Sequence, residues 1–347
     1  MSLFFKPSTL ADREKGYSFD DVLLVPCRSE VRSRKDPDLS TQLTPRFRLK
    51  TPLISANMDT VTETNMAIAM AKLGGLGILH RFLSIDHQVE QYKSVRDAGF
   101  DCGASIGVSG DYKERLKALI DSGCSLITID IAHGHSETMM QTISYIKSEY
   151  PEVEIIAGNV ATEEAAQDLI EAGANSIKVG IGPGSMCTTR IITGCGVPQL
   201  TAIALCAEVC AKSGVSLIAD GGIKTSGDIV KALAAGADLV MLGSLLSGTI
   251  ETPGEIKSGR KAYRGMASKA AQVSWRGELP EGMAAEGEAT SVAIKGHVSD
   301  VVSELCGGIR SGMSYLNAVT LKEIAERARF IEMTVSGFKE STAHGSY

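Results

Sequence analysis

Eight short apolar runs recur along the chain at nearly even spacing, and that recurrence limits the fold more than any other feature of the sequence. They are Pro52–Ala56, Leu76–Leu79, Cys102–Val108, Leu126–Asp130, Val153–Ala157, Ser176–Gly180, Ser216–Asp220 and Asp238–Leu242. Each is apolar nearly throughout, the mark of a parallel strand covered on both faces. Helical stripes lie between them. Ile85, Val89, Tyr92 and Val95 fall on one helical face, and Met139, Met140, Ile143 and Ile146 on another. Gly74, Gly99, Gly123, Gly173, Gly214 and Gly236 each follow a helical stretch and precede a strand. That is the C′ position, where glycine enters the left-handed region without penalty. The unit returns about every 25 residues, as short βα units require. Uninterrupted repetition predicts a (β/α)8 TIM barrel, with a doubly wound sheet as the alternative.

No linker or shift of composition divides Lys50 to Gly248, so residues 1–347 read as a single barrel domain. Beyond Gly248 the pattern changes. Residues 252–262 are polar and read as a short hairpin. Residues 267–295 are rich in Ala, Gly and Glu, hold Pro280 and the lone Trp275, and show no period. So long an unpatterned stretch reads as disorder or as a mobile active-site lid after the eighth strand. The segments 298–305 and 320–331 read as terminal helices closing the barrel.

Charge and cysteine usage bound the function. The net charge of −6, from 35 basic and 41 acidic residues, excludes nucleic-acid binding driven by a basic surface. No apolar run reaches the ~18 residues of a membrane span, and the N-terminus lacks a signal-peptide pattern, so a cytoplasmic location away from membranes is expected. The eight cysteines are scattered without a CxxC pair and read as reduced thiols.

In such a barrel the active site is built from the loops after the strands. Those loops hold Ala56–Asp59, His80-Arg81, Asp130–His135, Gly158-Asn159, Gly180–Arg190, Asp220-Gly221-Gly222 and Gly243-Ser244. The longest, Gly180-Ile-Gly-Pro-Gly-Ser-Met-Cys-Thr-Thr-Arg190, turns tightly and can hold a phosphate through N–H groups or a monovalent cation through carbonyls. Cys187, flanked by hydroxyls and Arg190, is the nucleophile candidate. The other seven cysteines read as buried, inert thiols. The seventh and eighth loops occupy the usual barrel phosphate position, and Asp220 is placed to hold ribose hydroxyls. Asp130-x-x-His133-x-His135 offers an alternative as a zinc site, though a third distant ligand is missing. Lys178, inside the sixth strand, offers another as the base of an isomerase or aldolase, with no partner carboxylate evident.

Gly180–Gln199, read with Ala56–Val61, Asp220-Gly221-Gly222 and Tyr263-Arg264-Gly265-Met266, resembles the IMP dehydrogenase/GMP reductase family over nearly the whole chain. In that family the barrel cysteine attacks C2 of the purine and a hydride is exchanged with a nicotinamide at the same carbon. Dehydrogenases usually carry inserted CBS domains and a lid with an Arg-Tyr pair that activates water. This chain shows neither, and Ala284-Ala285-Glu286-Gly287 resembles the reductase lid. Asp130–His135 and Leu279-Pro280-Glu281-Gly282 are closer to the dehydrogenase versions, so a dehydrogenase oxidising IMP to XMP with NAD stays as the alternative.

The resemblance implies NADPH-dependent deamination of GMP to IMP with release of ammonia. Cys187 would be the nucleophile, and Thr189 with Glu286 would protonate the departing nitrogen. Ser185, Gly222, Gly243 and Ser244 would hold the 5′-phosphate, Asp220 the ribose, and Gly265, Met266 and Gly287 with Glu286 the base, with Gly221 a further substrate-binding residue. Arg81, Asp130, Ile131 and Ala132 align with cofactor contacts, and Ser311 and Tyr315 would reach a neighbour's cofactor in a homotetramer. Gly182, Gly184, Cys187 and Arg190 correspond to a potassium site. A nucleotide-binding regulator on the same barrel is the rival from another class, and the joint presence of Cys187, Thr189 and Glu286 speaks against it.

Overall fold

The computed structural model describes residues 15–278, 282 and 284–341. Its centre is a closed parallel barrel of eight strands. In chain order these are Leu53–Ser55, Leu76–Leu79, Gly103–Ile106, Leu126–Asp130, Glu154–Val160, Ser176–Val179, Ser216–Asp220 and Leu239–Leu242. Each pairs with its sequence neighbour, and the eighth closes on the first through Val240↔Leu53, Met241↔Ile54 and Leu242↔Ser55. All eight expected strands are present, so the closed barrel replaces the doubly wound alternative. The fifth starts one residue later than expected and runs on to Val160, with a register irregularity between Gly158 and Val160 against the sixth strand.

The apolar character of the strands follows from burial on both faces. Ile54, Leu76, Ile78, Leu126, Ile156, Ile218, Leu239 and Met241 fill the barrel interior, while the opposite faces pack against the helices. The helix Ile85–Asp97 buries Tyr92 and Val95, and Glu137–Glu149 buries Met139, Ile143 and Ile146, as their stripes predict. Each such side chain contributes about 1.5–3 kcal/mol by leaving water. Gly173 and Gly214 cap their helices in the left-handed region, at φ 113 and 65.

Several elements depart from the sequence reading. A hairpin, Thr41–Thr44 with Phe47–Leu49, plugs the N-terminal mouth of the barrel and inserts Leu43 and Leu49 into its interior. Val22–Leu24 pairs antiparallel with Phe330–Glu332, so the expected helix 320–331 stops at Arg327 and the chain continues as a strand. The helix expected at 298–305 runs from Val298 to Tyr315. Residues 252–262 form no complete hairpin: Lys257 and Arg260 exchange backbone hydrogen bonds, but the strand Arg260–Arg264 pairs with Ala289–Ala293. Thus the stretch 267–295, unpatterned in sequence, contains the helix Lys269–Arg276 and that returning strand. Leu279, Pro280 and Glu281, part of the dehydrogenase-like tetrapeptide, lie outside the described residues. Among the described residues no helix is long and apolar enough to cross a membrane.

Candidate active site

The loops at the C-terminal ends of the strands enclose a cavity of about 440 Å³. The sixth loop enters it as the glycine-rich segment 180–186, then turns into a one-turn helix, Thr189–Thr193. Cys187 stands at that turn, its N–H donating to Gly184 O at 3.0 Å. The Cys187 Sγ lies 3.2 Å from Thr189 Oγ1, and Thr189 donates to Glu286 Oε2 at 2.8 Å. Thiol, hydroxyl and carboxylate therefore form one continuous hydrogen-bonded line. Its last member arrives from the segment that follows the eighth strand.

That segment is docked by its backbone. Thr188 N–H donates to Glu286 O at 3.2 Å, Glu288 N–H to Met186 O at 2.8 Å, and Glu286 N–H to Ala267 O at 3.0 Å. Gly287 bridges Cys187 and Ser268, and a Cβ built on it would come within 3.1 Å of Met186 O. A side chain there would need Met186 O and Ser268 N, both 3.1 Å away, to give by a few tenths of an ångström. Arg264 anchors the same segment from below by donating to Asp59 Oδ2 at 3.0 Å from Nε.

The seventh of the phosphate-type loops packs against the cysteine loop. Gly221, at φ 94, lies in the left-handed region, and a Cβ there would meet Pro183 at 3.0 Å and Gly184 N at 3.1 Å. Only glycine allows the seventh loop to lie against the cysteine loop. Gly222, Gly243 and Ser244 line the cavity beside it, and Ser185 Oγ lies 3.2 Å from Tyr263 OH. Burial pushes the Tyr263 phenol up, with Asp220 nearby adding to the effect, so it remains a donor.

At the floor, Lys178 is 2% exposed and bridges two carboxylates. Its Nζ lies 2.9 Å from Asp130 Oδ1 and 2.9 Å from Asp220 Oδ2, and also reaches Asn159 Oδ1. Asn159 Nδ2 donates to Asp220 Oδ2 at 2.9 Å. Burial opposes the Lys178 charge, but the two carboxylates outweigh it and raise its pKa above the ordinary value. Burial alone would raise the Asp130 carboxyl. The Lys178 ammonium, with Arg81 and Asn57, instead holds it below the usual range. Lys178 thus has two partner carboxylates, against the sequence reading of none, and their raising of its pKa favours an ion-pair role over that of the base of an isomerase or aldolase.

Most of the expected site residues meet here. Arg81, Asp130, Ile131 and Ala132 line the cavity at one end, and Gly265 and Met266 line it near Cys187. Gly182 and Gly184 line it on the cysteine loop. The Arg190 guanidinium lies over that loop and donates to Ile181 O at 3.1 Å and Val197 O at 2.5 Å. Ser311 and Tyr315, on the helix Val298–Tyr315, do not line this chain's cavity, and Tyr315 is exposed. His135 is engaged by Asp168 at 2.8 Å, His133 is exposed, and Asp130 is turned inward to Lys178. Among the described residues no group of three His, Cys, Asp or Glu side chains is arranged to hold a metal ion.

Two readings of the cysteines are corrected. Cys102, Cys124, Cys206, Cys210 and Cys306 are buried as expected, but Cys27 and Cys195 are exposed. Both lie on irregular segments, where an apolar residue type alone says nothing of burial. Sequence reasoning also missed Lys178 as a charge centre, and Asn159 and Tyr263 as individual cavity residues. Lys178 and Asn159 stand one residue before the C-terminal ends of their barrel strands, which was the available signal for those two.

Comparison with known proteins agrees with this geometry. The pattern of the IMP dehydrogenase/GMP reductase domain matches residues 16–344. An inosine-5′-monophosphate dehydrogenase from Cryptosporidium parvum is 43% identical over 384 residues, covering 95% of each chain. The corresponding enzyme of Nitrosopumilus maritimus is 35% identical and covers 95% of this chain and 98% of its own. That alignment spans 468 residues, more than this chain's 347, so the relative carries an insertion that this chain lacks. A cysteine-to-alanine variant of GMP reductase from Trypanosoma brucei, solved with guanosine 5′-monophosphate, superposes with a TM-score of 0.91. It is 32% identical and covers 99% of this chain and all of its own. The chain belongs to the IMP dehydrogenase/GMP reductase family, oxidoreductases of purine nucleotides that work with a nicotinamide cofactor.

Proposed function

We propose that the protein is a GMP reductase, converting GMP to IMP and ammonia at the expense of NADPH. The observation that carries the reading is the line from Cys187 through Thr189 to Glu286, with Glu286 supplied by the segment after the eighth strand. That segment, Ala267 to Lys295, contains no tyrosine and so lacks an Arg-Tyr pair for activating water.

The line accounts for the difficult part of the reaction. An amine is a poor leaving group, and a covalent adduct divides the barrier. Cys187 Sγ bonds to C2 of the purine as its proton passes through Thr189 Oγ1 to Glu286 and the C2=N3 electron pair moves onto N3. Glu286 then returns a proton through Thr189 to the C2 nitrogen, which leaves as ammonia while C2=N3 re-forms. When bound, NADPH supplies the hydride that C2 receives next. Re-formation of C2=N3 then expels the Cys187 thiolate and frees IMP.

The remaining residues hold and orient. Ser185, Gly221, Gly222, Gly243 and Ser244 take the 5′-phosphate, and Tyr263 steadies the Ser185 hydroxyl. Asp220 accepts from ribose hydroxyls, Gly265, Met266 and Gly287 frame the base, and Lys178 holds the Asp220 carboxylate in place through its 2.9 Å contact. Arg81, Asp130, Ile131 and Ala132 receive the cofactor, with Ser311 and Tyr315 serving a neighbouring copy in a homotetramer. For potassium, the donor chemistry fits: Gly184 O accepts one hydrogen bond from Cys187 and keeps a second lone pair. Gly182, Gly184 and Cys187 would hold the ion through carbonyls, steadying the nucleophile's loop. Arg190 would contribute only by its backbone, since its guanidinium is a cation. The working unit is a cytoplasmic single-domain barrel with the lid at 267–295.

The test is to mix the protein with GMP and NADPH. Loss of absorbance at 340 nm with equimolar ammonia, absent in Cys187→Ala, is the expected result. Reduction of NAD by IMP with accumulation of XMP would overturn it in favour of a dehydrogenase.

A further inference from the structure

The single tryptophan of the chain stands outside the machinery described so far. Trp275 lies on the lid helix Lys269–Arg276. Ser268 Oγ starts that helix by accepting Ala271 N–H at 3.2 Å, and Gly277 ends it in the left-handed region. Ala271 is buried, and Gln272 donates to Met266 O at 2.9 Å. One turn after Ala271, Trp275 meets Phe82 edge to face, with ring centroids 6.2 Å apart and planes at 70°. The Arg115 guanidinium carbon lies 5.7 Å from the Trp275 ring. Both geometries are attractive ones.

The receiving surface is held by hydrogen bonds of its own. Arg115 is 1% exposed, and its guanidinium donates to Gln88 Oε1 at 2.8 Å, Leu83 O at 2.9 Å and Asp111 Oδ2 at 2.7 Å. Held by three partners, it cannot follow the indole, so the indole must come to it. Phe82 is held as well, because its N–H donates to Nδ1 of the buried His80 at 3.2 Å. Arg81 lies against the Phe82 ring at 4.8 Å, and both residues line the cavity at the cofactor end. The lid is in turn one hydrogen-bonded unit: Glu286 N–H donates to Ala267 O, and Ser268 bridges to Gly287.

We propose that Trp275 is a positioning residue for the relay. By docking on Phe82 and Arg115 it seats the lid helix, and through Ala267 and Ser268 it sets Glu286 on Thr189. The same contact adds a second hold on the Arg81–Phe82 loop beside the His80 hydrogen bond, so the seating of the proton donor and the shape of the cofactor end are coupled. This rests on the relay reading of Cys187, Thr189 and Glu286, but not on which purine reaction the relay serves.

The test uses the full chain and two readouts. Emission of the sole tryptophan, followed without turnover, reports docking: Phe82→Leu should shift it to the red and expose it to acrylamide. In kinetics, Trp275→Ala should lower kcat about tenfold and raise KM for the cofactor, with GMP affinity changed far less and the melting temperature near the parent's. Trp275→Phe should restore most of the rate, and Trp275→Leu should not. Combining Phe82→Leu with Trp275→Ala should cost less than the product of the two single effects. Parent kcat in Trp275→Ala, equal rescue by Leu and Phe, or an emission spectrum indifferent to Phe82→Leu would each overturn the proposal. Because emission needs no substrate, a failed docking contact is distinguishable from a wrong assignment of the reaction.

Discussion

Thr189 donates a 2.8 Å hydrogen bond to Glu286 across 97 residues of sequence, while lying 3.2 Å from the Cys187 thiol. This one hydroxyl makes a nucleophile and a carboxylate from separate segments act as a proton line. Thr189→Ala and Glu286→Gln should each lower kcat by roughly 10²–10⁴. Thr189→Ser keeps an O–H at the same place and should retain a substantial part of the rate. Steady-state kinetics of the three variants, with nucleotide affinity measured separately, checks this. Equal losses in Ser and Ala variants would remove the hydroxyl from the mechanism.

The ion triad at the barrel floor should be needed for the fold as well as for binding. Lys178→Met removes the ammonium that bridges Asp130 and Asp220, which should destabilise the protein by about 3–5 kcal/mol. Denaturant unfolding measures it, and a loss below about 1 kcal/mol would show the triad to be incidental.

The same triad predicts a pH plateau. Asp130 is held below its ordinary 3.8, so its contribution is complete above that value and is lost only as pH falls further. Lys178 is raised above 10.5, so its contribution is complete below that value and is lost only as pH rises beyond it. The triad's contribution to the parent should therefore be flat between pH 5 and pH 9. The cost of Lys178→Met, by contrast, should shrink as pH falls, because without the ammonium burial raises the Asp130 carboxyl and lets it take up a proton. Unfolding midpoints of parent and variant across that range test it, and a parent–variant difference that grows as pH falls would assign the titration elsewhere.

Thiol chemistry should single out Cys187 once the two exposed cysteines are removed. Burial pushes the Cys124 and Cys210 thiols up to about 12, and raises Cys102, Cys206 and Cys306 as well. In a Cys27→Ser, Cys195→Ser background, iodoacetamide near neutral pH should label Cys187 alone, and GMP should protect it. Peptide mapping by mass spectrometry reads the outcome. Labelling of any of the five buried thiols in the folded protein would contradict the packing.

The barrel was legible in the sequence because strands covered on both faces must be apolar throughout, and because glycine marks the helix ends. What escaped was pairing between distant segments. Val22–Leu24 meets Phe330–Glu332, and Arg260–Arg264 meets Ala289–Ala293, through backbone bonds that leave no local pattern. Cys187 could be read from its loop, whereas the roles of Thr189 and Glu286 became visible only through resemblance to a family. Lys178 was misjudged because its partners come from the fourth and seventh strands, brought beside it by closure of the barrel. Trp275 gave no sequence signal of a role, since its partners Phe82 and Arg115 lie some 160 or more residues earlier.

The most direct test of the central claim is to supply the parent protein with IMP and oxidised cofactor in the absence of ammonia. A relay built to remove an amine, with no group in the lid to activate water, should give a burst of reduced cofactor stoichiometric with active sites and then stop. Adding ammonia should restart it with formation of GMP. Continuous reduction of the cofactor with accumulation of XMP would contradict the account.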